Sequence, residues 1–201
     1  QGHGLGVAFG IHLEGPFVSP ARPGALPRSC FRNPSLKELR QLLAAGDGLV
    51  RTMTLAPELK GGKGLIQLCR KNGVVPAFGH SNSDYEGTRK AISQGIRYAT
   101  HLFNAMNGIH HRAPGAVTAL LEDPRVSVEL ISDGHHVDPP ALRLVNRLKS
   151  EERIILVSDS IEACGLADGR HQFAGVDVYL EEGVVRQKNG TLAGSALTLE
   201  R

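Results

Sequence analysis

Six short apolar runs, rich in β-branched residues, recur along the chain at about 6–13, 49–55, 74–79, 96–101, 126–132 and 153–158. Between them lie stretches of helical periodicity. Pro34-Ser35 opens one that carries Leu36, Leu39, Leu42 and Leu43 at helical spacing. Gly64 to Lys71 carries Leu65, Ile66 and Leu68 and stops at Asn72-Gly73, a C-terminal cap signal. Ser83-Asp84 caps a third, running through Ala91-Ile92 to Gly95. Pro139-Pro140 opens a fourth, with Leu142, Leu144, Val145 and Leu148 on one face. Parallel strands need long crossovers, usually helical, so this alternation specifies parallel βα units.

The predicted class is therefore α/β, a (β/α) TIM-type barrel over residues 1–165. A complete eightfold barrel usually takes about 250 residues, and the chain has 201, so the barrel is expected to be incomplete. The chain begins Gln1-Gly2-His3-Gly4 and ends Leu197-Thr198-Leu199-Glu200-Arg201 in what reads as the middle of an element. An internal piece of a longer protein is expected. After Gly165 the pattern changes. Phe173 to Tyr179, Gly183 to Gln187, and the turn Lys188-Asn189-Gly190 before Thr191-Leu192 predict antiparallel hairpins. Residues 166–192 are thus expected to form part of a small β-sandwich appendage, with 193–201 starting a further barrel element.

Four polar residues stand just past apolar runs: Glu14, His80, His101 and Asp159. The C-terminal ends of barrel strands are where this architecture carries its chemistry. One carboxylate and two imidazoles suit a divalent metal, zinc or iron(II), and a further carboxylate can act as a base on water. Taken singly, each histidine also fits a hydrogen-bonded core or surface position. Glu14 precedes Gly15-Pro16, which turns the chain and exposes the carboxylate at the rim, as a ligand or as a turn-capping acid. His12, two residues earlier, shares its face of the strand and reads as a supporting or interior group. Asp159 ends an almost wholly apolar run, where a carboxylate is costly unless it is paired, metal-bound or functional. Its assigned role is general base and then general acid, against the alternative of a helix N-cap. In Ser132-Asp133-Gly134-His135-His136, either histidine could polarise a carbonyl. Asn104, Ala105 and Arg112 could form an anion pocket, or Arg112 could be a solvated charge.

The charge balance, +3 with nine histidines uncounted, suits a small anion and excludes a nucleic-acid partner, and there is no Trp. No apolar stretch approaches 18 residues, so no membrane partner is expected. Cys30, Cys69 and Cys164 are odd in number and lack Cys-x-x-Cys spacing, which argues against a disulfide framework and for a reducing cytoplasm.

Six segments occur in one order: His12-Leu13-Glu14-Gly15-Pro16-Phe17, Thr54-Leu55-Ala56-Pro57-Glu58, Gly79-His80-Ser81, Ala99-Thr100-His101-Leu102-Phe103-Asn104-Ala105-Met106, Asp133-Gly134-His135-His136-Val137 and Thr191-Leu192-Ala193-Gly194-Ser195. In these the chain resembles the N-acetylglucosamine-6-phosphate deacetylases of the amidohydrolase superfamily, over nearly all its residues. The resemblance implies that Glu14, His80 and His101 are metal ligands and Asp159 the catalytic aspartate. It implies phosphate-side contacts from Asn104, Ala105 and Arg112, and a hold on the acetamido carbonyl by His136. Leu192, Ala193 and Gly194 would line the substrate, as would Ala25 and Leu26. The implied substrate is an amino-sugar phosphate and the implied assembly a homodimer. Two departures stand out: Val157-Ser158-Asp159-Ser160 replaces the usual Val-Thr-Asp-Ala, and Leu26 stands where many members have His. The family's first barrel strand would precede residue 1. Two other readings stand beside this one: a dihydroorotase-like or deaminase-like amidohydrolase, and a barrel piece that binds sugar phosphates without activity.

Overall fold

The computed structural model describes residues 9–199. Six parallel strands form one sheet in the order of the sequence: β1 (Ile11–Glu14), β2 (Val50–Leu55), β3 (Val75–Phe78), β4 (Tyr98–Ala99), β5 (Ser127–Ile131) and β6 (Ile154–Val157). Each expected run yields a strand, although residues 6–8 of the first lie outside the described residues. The run at 96–101 contributes only Tyr98 and Ala99 to the sheet, because the backbone leaves the strand direction to place His101.

Five helices connect the strands: α1 (Leu36–Ala45), α2 (Gly62–Lys71), α3 (Tyr85–Gln94), α4 (Gly115–Glu122) and α5 (Pro139–Leu148). The cap signals act as read. The Ser35 hydroxyl accepts from the Glu38 N–H at 3.2 Å and the Asp84 carboxylate from that of Gly87 at 2.8 Å, each satisfying a donor the helix leaves unpaired. α2 starts two residues earlier than predicted, at Gly62, where a β-carbon would lie 2.4 Å from the Pro57 carbonyl oxygen. Consecutive helices touch one another, forming a layer over the sheet. Between helices and sheet lies one core that includes Leu39, Met53, Leu65, Ile66, Phe78, Ile92 and Leu120.

The helix α4 was not predicted. Ala116, Val117, Ala119, Leu120 and Leu121 are all buried, so its sequence shows no polar face and no helical period. Leu120→Ala is expected to cost about 2–5 kcal/mol through the cavity left in this layer. Denaturant unfolding measures it; a cost near zero would mean that α4 does not pack as described.

Three antiparallel strands follow: β7 (Gly169–Phe173), β8 (Val176–Glu181) and β9 (Val184–Gln187). Phe173 to Tyr179 is therefore not one strand. The chain turns at Ala174-Gly175, and again at Glu182-Gly183, with all four φ angles between +49° and +80°, the conformation that tight hairpins of this twist require. Val178, Leu180, Val185 and Ala193 form a small core on this sheet, against which Ala25 and Ile161 pack. Beyond it, Ser195 pairs in parallel with Ser160.

A candidate metal centre

Glu14 closes β1, His80 lies two residues past β3 and His101 two past β4, and Asp159 two past β6. In a parallel sheet these are all at the same edge. His80, His101 and Asp159 have φ angles of 45°, 32° and 50°, a left-handed backbone that costs a non-glycine residue about 1–3 kcal/mol and concentrates at functional sites. Space beneath His80 is equally tight. A β-carbon on Gly79 would sit 2.7 Å from the Thr54 methyl.

The three side chains meet. Glu14 Oε1 lies 2.8 Å from both His80 Nε2 and His101 Nε2, and the two imidazole nitrogens are 3.1 Å apart. The donors of all three lie within 4.8 Å of one another. Glu14 is one-third exposed, at the open side, while the two imidazoles are buried. His80 Nδ1 donates to the Arg22 carbonyl at 3.0 Å. In the neutral ring that leaves a bare Nε2 lone pair pointing at the oxygen of Glu14 and the nitrogen of His101. Three acceptors converging on one point suit a cation, and two imidazoles with one carboxylate are a donor set for zinc or iron(II). Without a metal, protons compensate. Burial opposes charge on His101, but the hydrogen bond and charge of Glu14 overcome this and push it up to about 9. Burial alone would raise Glu14; the two imidazoles hold it far below the usual carboxylate range.

A cavity of about 540 Å³ opens over the three, lined also by Ala25, Leu26, Asn104, Ala105, His136, Asp159, Leu192 and Gly194. Twelve predicted positions can thus be placed around it, counting Ala193, which is buried beneath the hairpins rather than in the wall. Desolvation by the cavity wall pushes the Asp159 carboxyl up to about 6, with His101 opposing the rise. His136 is the histidine of the pair that reaches the cavity. Its Nδ1 donates to Asp133 at 2.6 Å, leaving Nε2 for the cavity, and the Asp133 carboxylate also accepts the backbone N–H groups of His135 and His136. Arg112 is not brought to the cavity. It is exposed, with Nη1 2.6 Å from His111 Nε2.

Sequence reasoning missed three groups here. Arg186, on β9, is among the residues lining the cavity, and its guanidinium bonds the Gly190 carbonyl at 3.0 Å. Only the folding back of the hairpin brings it there, and no motif marks it. Asp133 lay inside a noted motif without a role. Glu129 is a buried carboxylate in mid-strand, a readable signal because such a charge is costly.

No protein-family model matches the chain. The N-acetylgalactosamine-6-phosphate deacetylase of Escherichia coli O157:H7 is 41% identical over 192 residues, 96% of this chain and 51% of that protein. The N-acetylglucosamine-6-phosphate deacetylase of Vibrio furnissii is 38% identical over 193 residues, covering 96% and 48%. A mutant N-acetyl-D-glucosamine-6-phosphate deacetylase from Mycobacterium smegmatis, in complex with N-acetyl-D-glucosamine-6-phosphate, superposes with a TM-score of 0.92 at 42% identity, over 95% of this chain and 50% of that one. Over 96% of its length the chain is thus similar to N-acetylglucosamine-6-phosphate deacetylases at 35–42% identity. It spans about half the length of the curated relatives it matches. The parallel sheet with its helices and the separate antiparallel sheet both match solved deacetylases. No helix among the described residues is long and apolar enough to cross a membrane.

Proposed function

We propose that this chain carries the chemistry of a metal-dependent deacetylase, hydrolysing N-acetylglucosamine 6-phosphate to glucosamine 6-phosphate and acetate. The convergence of Glu14, His80 and His101 on one point, under a cavity shared with Asp159, carries the reading. Glu14, His80 and His101 would hold a divalent ion, which would supply Lewis acidity towards the acetamide carbonyl and water. Asp159 takes a proton from the attacking water at its carboxylate and returns it to the departing amine nitrogen. His136, fixed by Asp133, orients the acetamide oxygen. Ala25, Leu26, Leu192 and Gly194 close the cavity around the sugar, and Ala193 supports that wall from below.

Asn104 and Ala105 are assigned to the phosphate. His101, Phe103 and Ala105 all have positive φ, an alternation of the kind from which anion-binding backbone nests are built. Arg186, at the cavity wall, is assigned to the phosphate together with Asn104 and Ala105. Arg112 stands outside the cavity of its own chain, so it reaches substrate if a second copy presents it; that would join the phosphate contact to the homodimer, both implied by the resemblance. Arg186→Ala and Arg112→Ala are each expected to raise KM for the phosphorylated sugar about tenfold or more, the scale of a charge-assisted hydrogen bond. Unphosphorylated N-acetylglucosamine should show no such change, and an equal loss with both sugars would remove the arginine from the phosphate site.

The parallel sheet is read as part of a (β/α) barrel, supported by its sequential strand order and by apolar side chains exposed at both edges, Ile11 on β1 and Leu156 on β6. Residues 166–192 are then the appendage, and the parallel pairing of Ser195 with Ser160, just past β6, supports reading 193–201 as the start of a further barrel element, of which 200–201 lie outside the described residues. Three cysteines without a disulfide support a cytoplasmic setting. The test is acetate release with zinc or iron(II) added, offering the 6-phosphates of both N-acetylglucosamine and N-acetylgalactosamine. Metal-dependent release from the first supports the assignment. Preference for the second changes the sugar, and release from neither contradicts the activity.

A further inference from the structure

Metal-binding histidines are ordinarily oriented by a hydrogen bond from the second ring nitrogen. His80 has one, to the Arg22 carbonyl, but His101 Nδ1 is buried with no partner among the described residues. Something else must set the His101 ring, whose Nε2 meets Glu14 and His80. Its backbone offers the answer. Glu129 Oε2 accepts the His101 N–H at 3.0 Å, and the Glu129 carbonyl accepts the next N–H, that of Leu102, at 2.9 Å. One residue of β5 thus grips two successive amides across the turn where His101 adopts its left-handed φ. Glu129 is itself fixed. Tyr98 donates its hydroxyl to Oε1 at 2.7 Å, and His12 Nδ1 lies 3.7 Å from the same oxygen. His12 is in turn held through Nε2 by Thr54, whose hydroxyl bonds that of Thr100, the residue before His101. Burial and this bond hold the Tyr98 hydroxyl well above its ordinary titration range, so it stays a donor.

We propose that Glu129 is a positioning residue for the metal centre, setting His101 through its backbone rather than through its ring. The proposal rests on the metal-site reading above. What matters is the reach of the side-chain oxygen to the His101 N–H, more than its charge. Gln keeps that reach and an acceptor, Asp keeps the charge but withdraws the oxygen by one methylene, and Leu keeps neither.

The experiment is zinc titration of the chain against a competing chelator, with unfolding followed in parallel. Glu129→Gln should bind zinc within about threefold of wild type, whereas Glu129→Asp and Glu129→Leu should lose about 10–100-fold, the range for outer-shell partners of metal ligands. Leu120→Ala, a core change at a residue that lines neither the cavity nor the metal site, should lower stability and leave zinc affinity unmoved, separating positioning from general loosening. The proposal is overturned if Glu129→Asp binds as wild type, or if Glu129→Gln loses as much as Glu129→Asp. Should Glu129→Leu not fold, the Gln and Asp pair decides alone. If wild type and His101→Ala bind zinc alike, the metal-site reading itself fails and this inference with it; wild-type binding with His101→Ala defective and all Glu129 variants unchanged removes this inference only.

Discussion

Asp159→Asn is expected to lower kcat by about 10²–10⁴-fold, the usual contribution of a positioned general base, while zinc or iron content stays at the wild-type level. The reason is specific to this carboxylate. It shares the cavity with the three converging donors but is not one of them, and its surroundings raise its carboxyl to about 6. Burial in the cavity wall makes this carboxylate more basic than an exposed one while leaving it ionised at neutral pH. The sign of the pH dependence follows, since turnover requires the ionised form: activity should be lost on the acid side, below about 6, because a cation held beside the carboxylate favours its ionised form. The Asn side chain has similar size and cannot accept that proton, so a folded, metal-loaded, inactive protein is the expected outcome. Full metal content with most of the activity retained would reassign the base.

His101→Ala and Glu14→Ala should each remove stable metal binding, a larger loss than the roughly 10–100-fold that changes to outer-shell partners produce. Removing one of three protein donors leaves two, fewer than catalytic zinc sites use. The two variants should differ in stability. Losing the His101 ring leaves a buried space and removes a partner of Glu14, whereas losing the one-third-exposed Glu14 removes the anion that stabilises charge on His101. Elemental analysis of the purified variants, with unfolding curves beside it, separates lost coordination from lost fold. Wild-type metal content in either variant would exclude that side chain as a ligand.

Much of this arrangement is legible in the chain because parallel βα architecture repeats one pattern. Buried strands require β-branched apolar runs, and the residue that ends each run must leave the sheet at the same edge, so Glu14, His80, His101 and Asp159 could be grouped without knowing the fold. α4 escaped for the opposite reason: a helix covered on nearly all sides carries no alternation of polar and apolar faces. β4 is two residues long because the turn that aims His101 takes the rest of its run. Ala174-Gly175 lacks the Asn or Asp that usually announces a tight hairpin, which hid the start of β8. Arg186 and Arg112 depend on how hairpins and loops fold over the cavity, and local pattern holds no record of that. Glu129 is the instructive miss, since a carboxylate between Val128 and Leu130 was already anomalous on the grounds of burial alone.

X-ray absorption spectroscopy on the zinc-loaded chain tests the central claim most directly. Glu14, His80 and His101 predict a shell of two imidazole nitrogens and light oxygen scatterers at about 2.0–2.2 Å, a shell that His101→Ala should abolish together with stable zinc binding. A sulfur scatterer near about 2.3 Å, or a shell unchanged by that substitution, would place the metal elsewhere and contradict the account.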